Sequence, residues 1–371
     1  MRSHITALSA TLLTSALSTS ALAQYNPSAA ASRPRARVSV PVREANGAVT
    51  WHDEYRAPAA DRYGNADGNQ YDLAIDGAFE GQTVAVLHLY TSEGFDFSLP
   101  RAALREKGFS VYRWSNAAPR IDEFRAGLAR ANQLWVISSS ARTLSDAHLE
   151  AIREFFEAGH GVYIWGDNAP YYADANAVAE RLFRGSMEGN LPGDQVVSLR
   201  QGSRGPGILA DHLLSTGIER LYEGITIATI QPNDALSPLL YGSAGNLVAA
   251  FYDHGGRRAI LDGGFTRLYL HWDTAGTARY VKNAAAWLAN AERFGSAVVG
   301  HGVPLTTGPR VNAPTPSTPV APAAPVVVAP EARPQASATD RPAMPLSHRI
   351  GFGALAGLFL LGLAFSRGPK E

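Results

Sequence analysis

The chain of 371 residues contains no cysteine. That absence removes disulfides, thiolate metal sites, iron–sulfur clusters and every mechanism with a cysteine nucleophile. An excess of either charge is also lacking, since 33 Lys and Arg balance 33 Asp and Glu. A nucleic-acid binder needs a basic surface to neutralise phosphates, so no nucleic-acid partner is expected. Three motif classes are missing as well. There is no H-E-x-x-H or comparable metal cluster, only His271 and Asp273 in H-x-D spacing with separate His88 and His254. No G-x-S-x-G elbow occurs: Gly242-Ser-Ala-Gly245 falls short of it and lies in an expected hairpin. No phosphate loop follows the first strand, where Thr91-Ser-Glu-Gly-Phe-Asp96 stands. Neither a metal nor a cofactor is therefore expected.

What is present begins with two unlike ends. Arg2 and His4 precede a small and apolar stretch from Ile5 to Leu22, closing on Ala21-Leu22-Ala23. A basic start and an Ala-x-Ala site describe a signal peptide over residues 1–23, and with it export. Near the other end, residues 350–366 are uncharged, with Arg367 and Lys370 behind them. The sixteen residues 350–365 reach about 24 Å as a helix, short of a hydrocarbon core of roughly 30 Å, with snorkelling basic side chains to close the gap. The pattern predicts a single-pass, type I membrane protein whose bulk lies in the periplasm or outside the cell. Between body and span, residues 292–349 turn rich in Pro and Ala, with 11 of the 23 prolines falling from Pro304 to Pro345. Proline lacks the backbone donor and fixes φ, so this stretch reads as an extended tether. Residues 24–82 read as a low-complexity and turn-rich N-terminal segment, with 24–46 unstructured. The Asp, Asn and Gly of residues 61–72 tempt a calcium loop, but with Gly68 at the sixth place Tyr63 and Ala74 stand where carboxylates are required.

The folded domain is placed at residues 83–291. Thr83-Val-Ala-Val-Leu-His-Leu-Tyr90 is a near-continuous apolar run, as in a strand buried on both faces. Helices are predicted over 99–107, 121–131, 171–183 and 277–290, and strands over 109–114, 133–138 and 161–166. A further helix opens where Thr143 and Asp146 have capping-box spacing; its apolar face is Leu149, Ile152, Phe155 and Phe156, and Gly159 ends it. Four strands alternating with helices imply an α/β domain with a doubly wound, mainly parallel, flavodoxin-like sheet. Strands over 195–199, 225–230, 238–241, 247–252 and 257–262 are close enough in sequence to add β-hairpins.

Three segments carry a resemblance. They are Leu149-Glu-Ala-Ile-Arg-Glu-Phe-Phe-Glu-Ala-Gly-His-Gly-Val-Tyr-Ile-Trp-Gly166, Arg257-Arg-Ala-Ile-Leu-Asp-Gly-Gly-Phe-Thr266 and Tyr280-Val-Lys-Asn-Ala-Ala-Ala-Trp287. With the order of elements, they make residues 83–291 resemble class I glutamine amidotransferase-like domains, including the ThuA-like and other exported bacterial ones. The resemblance implies a strained elbow after the fourth domain strand, where the family holds its nucleophilic cysteine. Here the elbow reads Gly166-Asp167-Asn168-Ala169-Pro170, so glutaminase chemistry is excluded, and no family His–Glu pair maps onto His271 or its neighbours. Fold and site location carry over; the reaction does not.

Ligands of parallel sheets bind beyond the carboxyl ends of the strands. That rule collects His88, Glu93 and Asp96 after the first domain strand, and Ser138, Ser139 and Ser140 after the third. It adds Asp167 and Asn168 after the fourth, then Asp262, Thr266, His271 and Asp273. With Tyr171, Tyr172 and Trp272 nearby, these residues suit a small polar ligand or a glycan; an envelope protein is the alternative partner. Equally, Asp, Asn and Ser at strand ends serve as caps and turn formers. The expected role is a membrane-tethered binding or scaffolding domain, with a carboxylate-dependent hydrolase using Asp167 and Glu93 as the alternative.

Overall fold

The computed structural model describes residues 25–90, 95–200 and 205–295. A hairpin of β1 (Ala36–Arg43) and β2 (Val49–Arg56) comes first, pairing antiparallel as a separate two-stranded sheet. The α/β body then runs β3 (Thr83–His88), α1 (Ser98–Glu106), β4 (Ser110–Ser115), α2 (Ile121–Leu128), β5 (Gln133–Ile137), α3 (Asp146–Glu157), β6 (Gly161–Trp165) and α4 (Ala173–Phe183). Seven short strands follow without a long helix between them: β7 (Met187–Pro192), β8 (Val196–Arg200), β9 (Gly207–Leu209), β10 (Arg220–Tyr222), β11 (Thr226–Ile230), β12 (Ser237–Tyr241) and β13 (Leu247–His254). Strand β14 (Arg257–Asp262), α5 (Thr277–Leu288) and the single turn α6 (Ala291–Phe294) complete the described chain.

Ten strands form one sheet in the order β10-β8-β9-β12-β13-β14-β6-β5-β3-β4. Its core, β4-β3-β5-β6-β14, is parallel throughout and has the flavodoxin-like order in which the first domain strand lies between the second and third. Side chains alternate faces along each strand. Val84, Val86, Trp135, Ile137, Tyr163 and Trp165 pack with α1 and α5, while Ala85, Leu87, Leu134, Val136, Val162 and Ile164 pack with α2, α3 and α4. Both faces are covered, which is why these strands read as continuous apolar runs.

Several expectations need correction. The sheet is mixed rather than mainly parallel, because β14-β13, β13-β12, β12-β9 and β8-β10 are antiparallel junctions. The strand expected at 225–230 leaves the main sheet and pairs with β7. Helix α3 is capped by Ser145, whose side chain accepts from the His148 N–H, and not by Thr143, which turns to Asp174 instead. Residues 24–46 are not unstructured, since β1 lies within them. The stretch from 292 begins within α6, with Ala291 fully buried. Among the described residues no helix is long and apolar enough to cross a membrane. The expected signal peptide, most of the tether and the terminal span lie outside the described residues.

The segment before β3 is bound into the core by charge. Asp72 is fully buried against Lys107 (2.9 Å), Lys282 (2.6 Å) and Arg279 (2.7 Å). Burial alone would raise its carboxyl, but Lys282, Lys107 and Arg279 outweigh that and hold it below the usual range. Arg279 also donates to the carbonyls of Gly217 and Gly68 at 3.0 Å each. Asn283 accepts from the Leu73 N–H at 2.7 Å. Leu73 and Phe79 fill the core alongside.

Candidate functional site

Backbone hydrogen bonds carry the parallel ladders one step past the strands. Asn116 N–H donates to His88 (3.0 Å), Leu89 to Ile137 (3.0 Å), Ser138 to Trp165 (2.9 Å) and Gly166 to Asp262 (2.8 Å). These bonds line up His88, Ser138, Gly166-Asp167 and Asp262 along one carboxyl edge. These are the strand-end residues singled out from the sequence. The chemistry of each residue is another matter.

Ser138 is fully buried, and its Oγ accepts from the Asp174 and Ala175 N–H groups at 3.0 and 3.1 Å while donating to the Ser139 carbonyl at 3.2 Å. It serves as an acceptor for the first amides of α4, a capping task. Asp174 in turn accepts from the Thr143 and Leu144 amides at 2.9 Å each. Ser139 is half-buried beside it.

Asp262 is fully buried and ion-paired with Arg267, also fully buried. Its second oxygen accepts from the hydroxyls of Tyr163 (3.3 Å) and Tyr280 (3.1 Å), and the Gly264 N–H donates to the first at 3.1 Å. The Arg267 guanidinium lies 5.6 Å from the Trp165 ring centre and 5.2 Å from that of Tyr280. Burial would lower this guanidinium, but Asp262 and the two tyrosines raise it. Sequence reasoning does not single out Arg267, Tyr163 or Tyr280. The spacing of Asp262 and Arg267 across one tight turn is the signal that could have found the pair.

Asp167 stands at the elbow, only 2% exposed. Its Oδ1 accepts from the Asn168 N–H at 2.9 Å. Burial pushes its carboxyl up to about 8; the Asn168 amide and Arg267 pull it down, and Asp262 pushes it further up. The side chain is therefore a neutral acid at pH 7. At Gly166 before it, a Cβ would meet the sulfur of Met187 on β7, so a larger residue there would have to displace that side chain. Asn168 is half-buried, accepting from Thr226 Oγ1 at 2.7 Å, and the Ala169 amide donates to Gly189 at 2.8 Å. The β7–β11 ribbon thereby holds the elbow from outside. Ala169 and Pro170 are exposed.

His88 accepts at Nδ1 from Arg113 at 3.0 Å and lies against Phe95 (ring centres 4.3 Å). Burial, then the Arg113 charge, pushes it down to about 4, so the imidazole is neutral. Asp96 is exposed and accepts from the Ser98 N–H (2.9 Å), a turn-forming role. Thr266 accepts from the Ile225 N–H at 3.3 Å. His271 stacks on Tyr222 at 4.3 Å, whose hydroxyl donates to Asp194 at 2.7 Å, so His271 belongs to a second cluster. Trp272 is buried and Asp273 exposed. Glu93 lies outside the described residues.

An aromatic wall joins these strand ends. Tyr90 meets Tyr171 (5.2 Å) and Phe265 (5.0 Å); Phe95 meets Phe265 (6.4 Å) and stacks on Tyr269 (4.3 Å). Tyr90, Tyr171 and Tyr269 are half-buried, and Leu270 beside them is 57% exposed. Of this wall only Tyr171 is expected from sequence. Two open clefts lie elsewhere, one of about 520 Å³ lined by Arg125, Arg130, Asn132 and His160, the other of about 630 Å³ against Arg142, Arg181 and Tyr252. Among the described residues no group of three or more His, Asp or Glu could hold a metal ion.

No family model and no curated protein matches the chain. Solved structures do. A ThuA-like protein of Parabacteroides merdae is 12% identical, with TM-score 0.39 over 62% of this chain and 96% of that one. A GMP synthase-like protein of Thermoplasma acidophilum is 9% identical, with TM-score 0.34 over 56% and 96%. The acivicin-bound glutaminase domain of Trypanosoma brucei CTPS is 9% identical, with TM-score 0.28 over 62% and 98%. All three neighbours have amidotransferase-like folds. At such scores the α/β assignment of this chain rests on its own strand order.

Proposed function

We propose that the chain is an exported, membrane-tethered binding or scaffolding domain, amidotransferase-like in fold and without glutaminase activity. Its carboxyl edge takes a small polar ligand, a glycan or a loop of an envelope protein. The observation that carries this reading is the internal use of the edge's reactive groups: Ser138 caps a helix and Asp262 is closed by an ion pair and two hydroxyls. What the edge offers outward is the half-buried Tyr90, Tyr171 and Tyr269 with the half-buried Asn168 and the exposed Ala169 and Pro170, a surface for stacking and hydrogen bonding. A thermal-shift screen of the full chain against peptidoglycan fragments, chito-oligosaccharides and maltodextrins tests it. A stabilising hit that disappears in Tyr90→Ala and Tyr171→Ala supports the reading. No hit, or hits indifferent to both substitutions, counts against it.

One observation favours the second reading, a hydrolase. Asp167, raised to about 8, suits a proton donor and not the water-activating base expected from sequence. Asp167→Asn would then abolish turnover of the same oligosaccharides while leaving the fold intact.

A further inference from the structure

Three buried donors at the carboxyl edge find no acceptor among the described residues: His88 Nε2, Trp165 Nε1 and Arg267 Nη1. All three side chains are wholly buried. The indole and guanidinium nitrogens can only donate. Arg113 donates to His88 Nδ1 at 3.0 Å, so the neutral ring carries its proton on Nε2. The Tyr90 carbonyl lies near enough to favour that proton, but not in a geometry to accept it. The donors also share a face. His88 pairs in register with Ile137, Ile137 with Trp165, and Trp165 with Asp262. Register neighbours project to the same side, here that of α1 and α5, where the ion pair with Asp262 holds Arg267 beside Trp165. The aromatic wall flanks the row: His88 lies against Phe95, and Phe95 and Tyr90 meet Phe265, two residues before Arg267.

A buried donor without an acceptor costs about as much as a lost hydrogen bond. Three on one face, with no orphaned acceptor beside them, require oxygens from outside the chain. Charge decides their kind. Asp262 already neutralises Arg267, and both His88 and Asp167 are neutral. The charge of Arg113 sits at the other ring nitrogen of His88, half-buried and within the field of Asp96. An anion among the three donors would be buried with no net positive charge to balance it, whereas a water or hydroxyl oxygen carries no such penalty. We propose that this row is a binding site for neutral oxygens, those of water in the free protein and those of a polar ligand's hydroxyls when the edge is occupied. The second half rests on the binding role proposed above; the first does not. His88 and Trp165 stand two strands apart, about 10 Å. The row therefore takes more than one oxygen, as the hydroxyls around one sugar ring would supply.

Crystals of the full-length chain, grown from mild detergent and diffracting well enough to show ordered water, test this in three arms. One is left unsoaked, one is soaked in glucose and one in sodium bromide. The unsoaked crystals are expected to show oxygen density roughly 2.7–3.2 Å from His88 Nε2, Trp165 Nε1 and Arg267 Nη1. Glucose is expected to replace that water with its own hydroxyls, and bromide to give no anomalous peak along the row. Donors in place with no density beside them overturn the proposal, as do protein carbonyls turned in to accept from them. A bromide peak overturns the neutral character of the site. Water that stays through saturating glucose overturns the second half and keeps the first. A negative oligosaccharide screen with the water in place counts against the binding role alone, so the two failures are told apart.

Discussion

Two buried aspartates show how environment sets the role of one residue type. Asp72 sits among three cations, which keep it ionised; Asp167 has only the Asn168 amide and the field of Arg267, opposed by Asp262, and burial wins. Their effects on stability run in opposite directions. The lowered carboxyl of Asp72 contributes stability above the ordinary aspartate range, and that contribution is lost as pH falls through its depressed value. Asp72→Asn leaves Lys107 buried without its main partner and is expected to cost about 3–5 kcal/mol in urea unfolding at pH 7. Asp167 retains its proton in the native state between about 4 and 8, whereas the unfolded chain has lost it. Stability therefore falls with rising pH across that window, by at most about 1.4 kcal/mol per pH unit. Asp167→Asn removes that slope, so the variant should gain on the parent at pH 8 and match it near pH 3.5.

At the scale of elements, what was legible followed local periodicity. Leu149, Ile152, Phe155 and Phe156 face inward from α3 as their spacing requires, and Gly159 ends that helix at φ +100°. The strands of the parallel half were readable because burial on both faces leaves a continuous apolar run. Strands β7, β9 and β10 were not, because β9 and β10 are three residues each and β7 carries Glu188, Gly189 and Asn190 at its centre, and their pairing is decided by distant neighbours. The carboxyl edge was legible as a place, through the rule for parallel sheets. The use of each side chain there was not. Ser138 read as a ligand contact, yet it serves the N-terminus of α4, a helix that begins only at Ala173. Ser138→Ala should cost about 1 kcal/mol, measured by urea unfolding, with no other change at the edge. The aromatic wall has no signature in sequence because Tyr90 and Phe95 meet Phe265 and Tyr269 only when the ends of two strands distant in sequence, β3 and β14, come together.

For the molecule as a whole, the body begins earlier than periodicity suggests. The turn-rich stretch before β3 carries no helix or strand pattern, but Leu73 and Phe79 are wholly buried and Asp72 ties α1 to α5. A chain beginning at residue 83 is expected to be insoluble or unfolded by circular dichroism, since it strands Lys107 and Lys282 without Asp72. On this fold the elbow after β6 holds a shielded acid, and the groups around it are committed to the structure. The protonation of Asp167 tests that account most directly. Carbon-13 NMR titration of the aspartate carboxyls, assigned with Asp167→Asn, should show the Asp167 resonance moving with a midpoint near 8. A midpoint near 4, the ordinary aspartate value, would mean an open and ionised elbow and would contradict it.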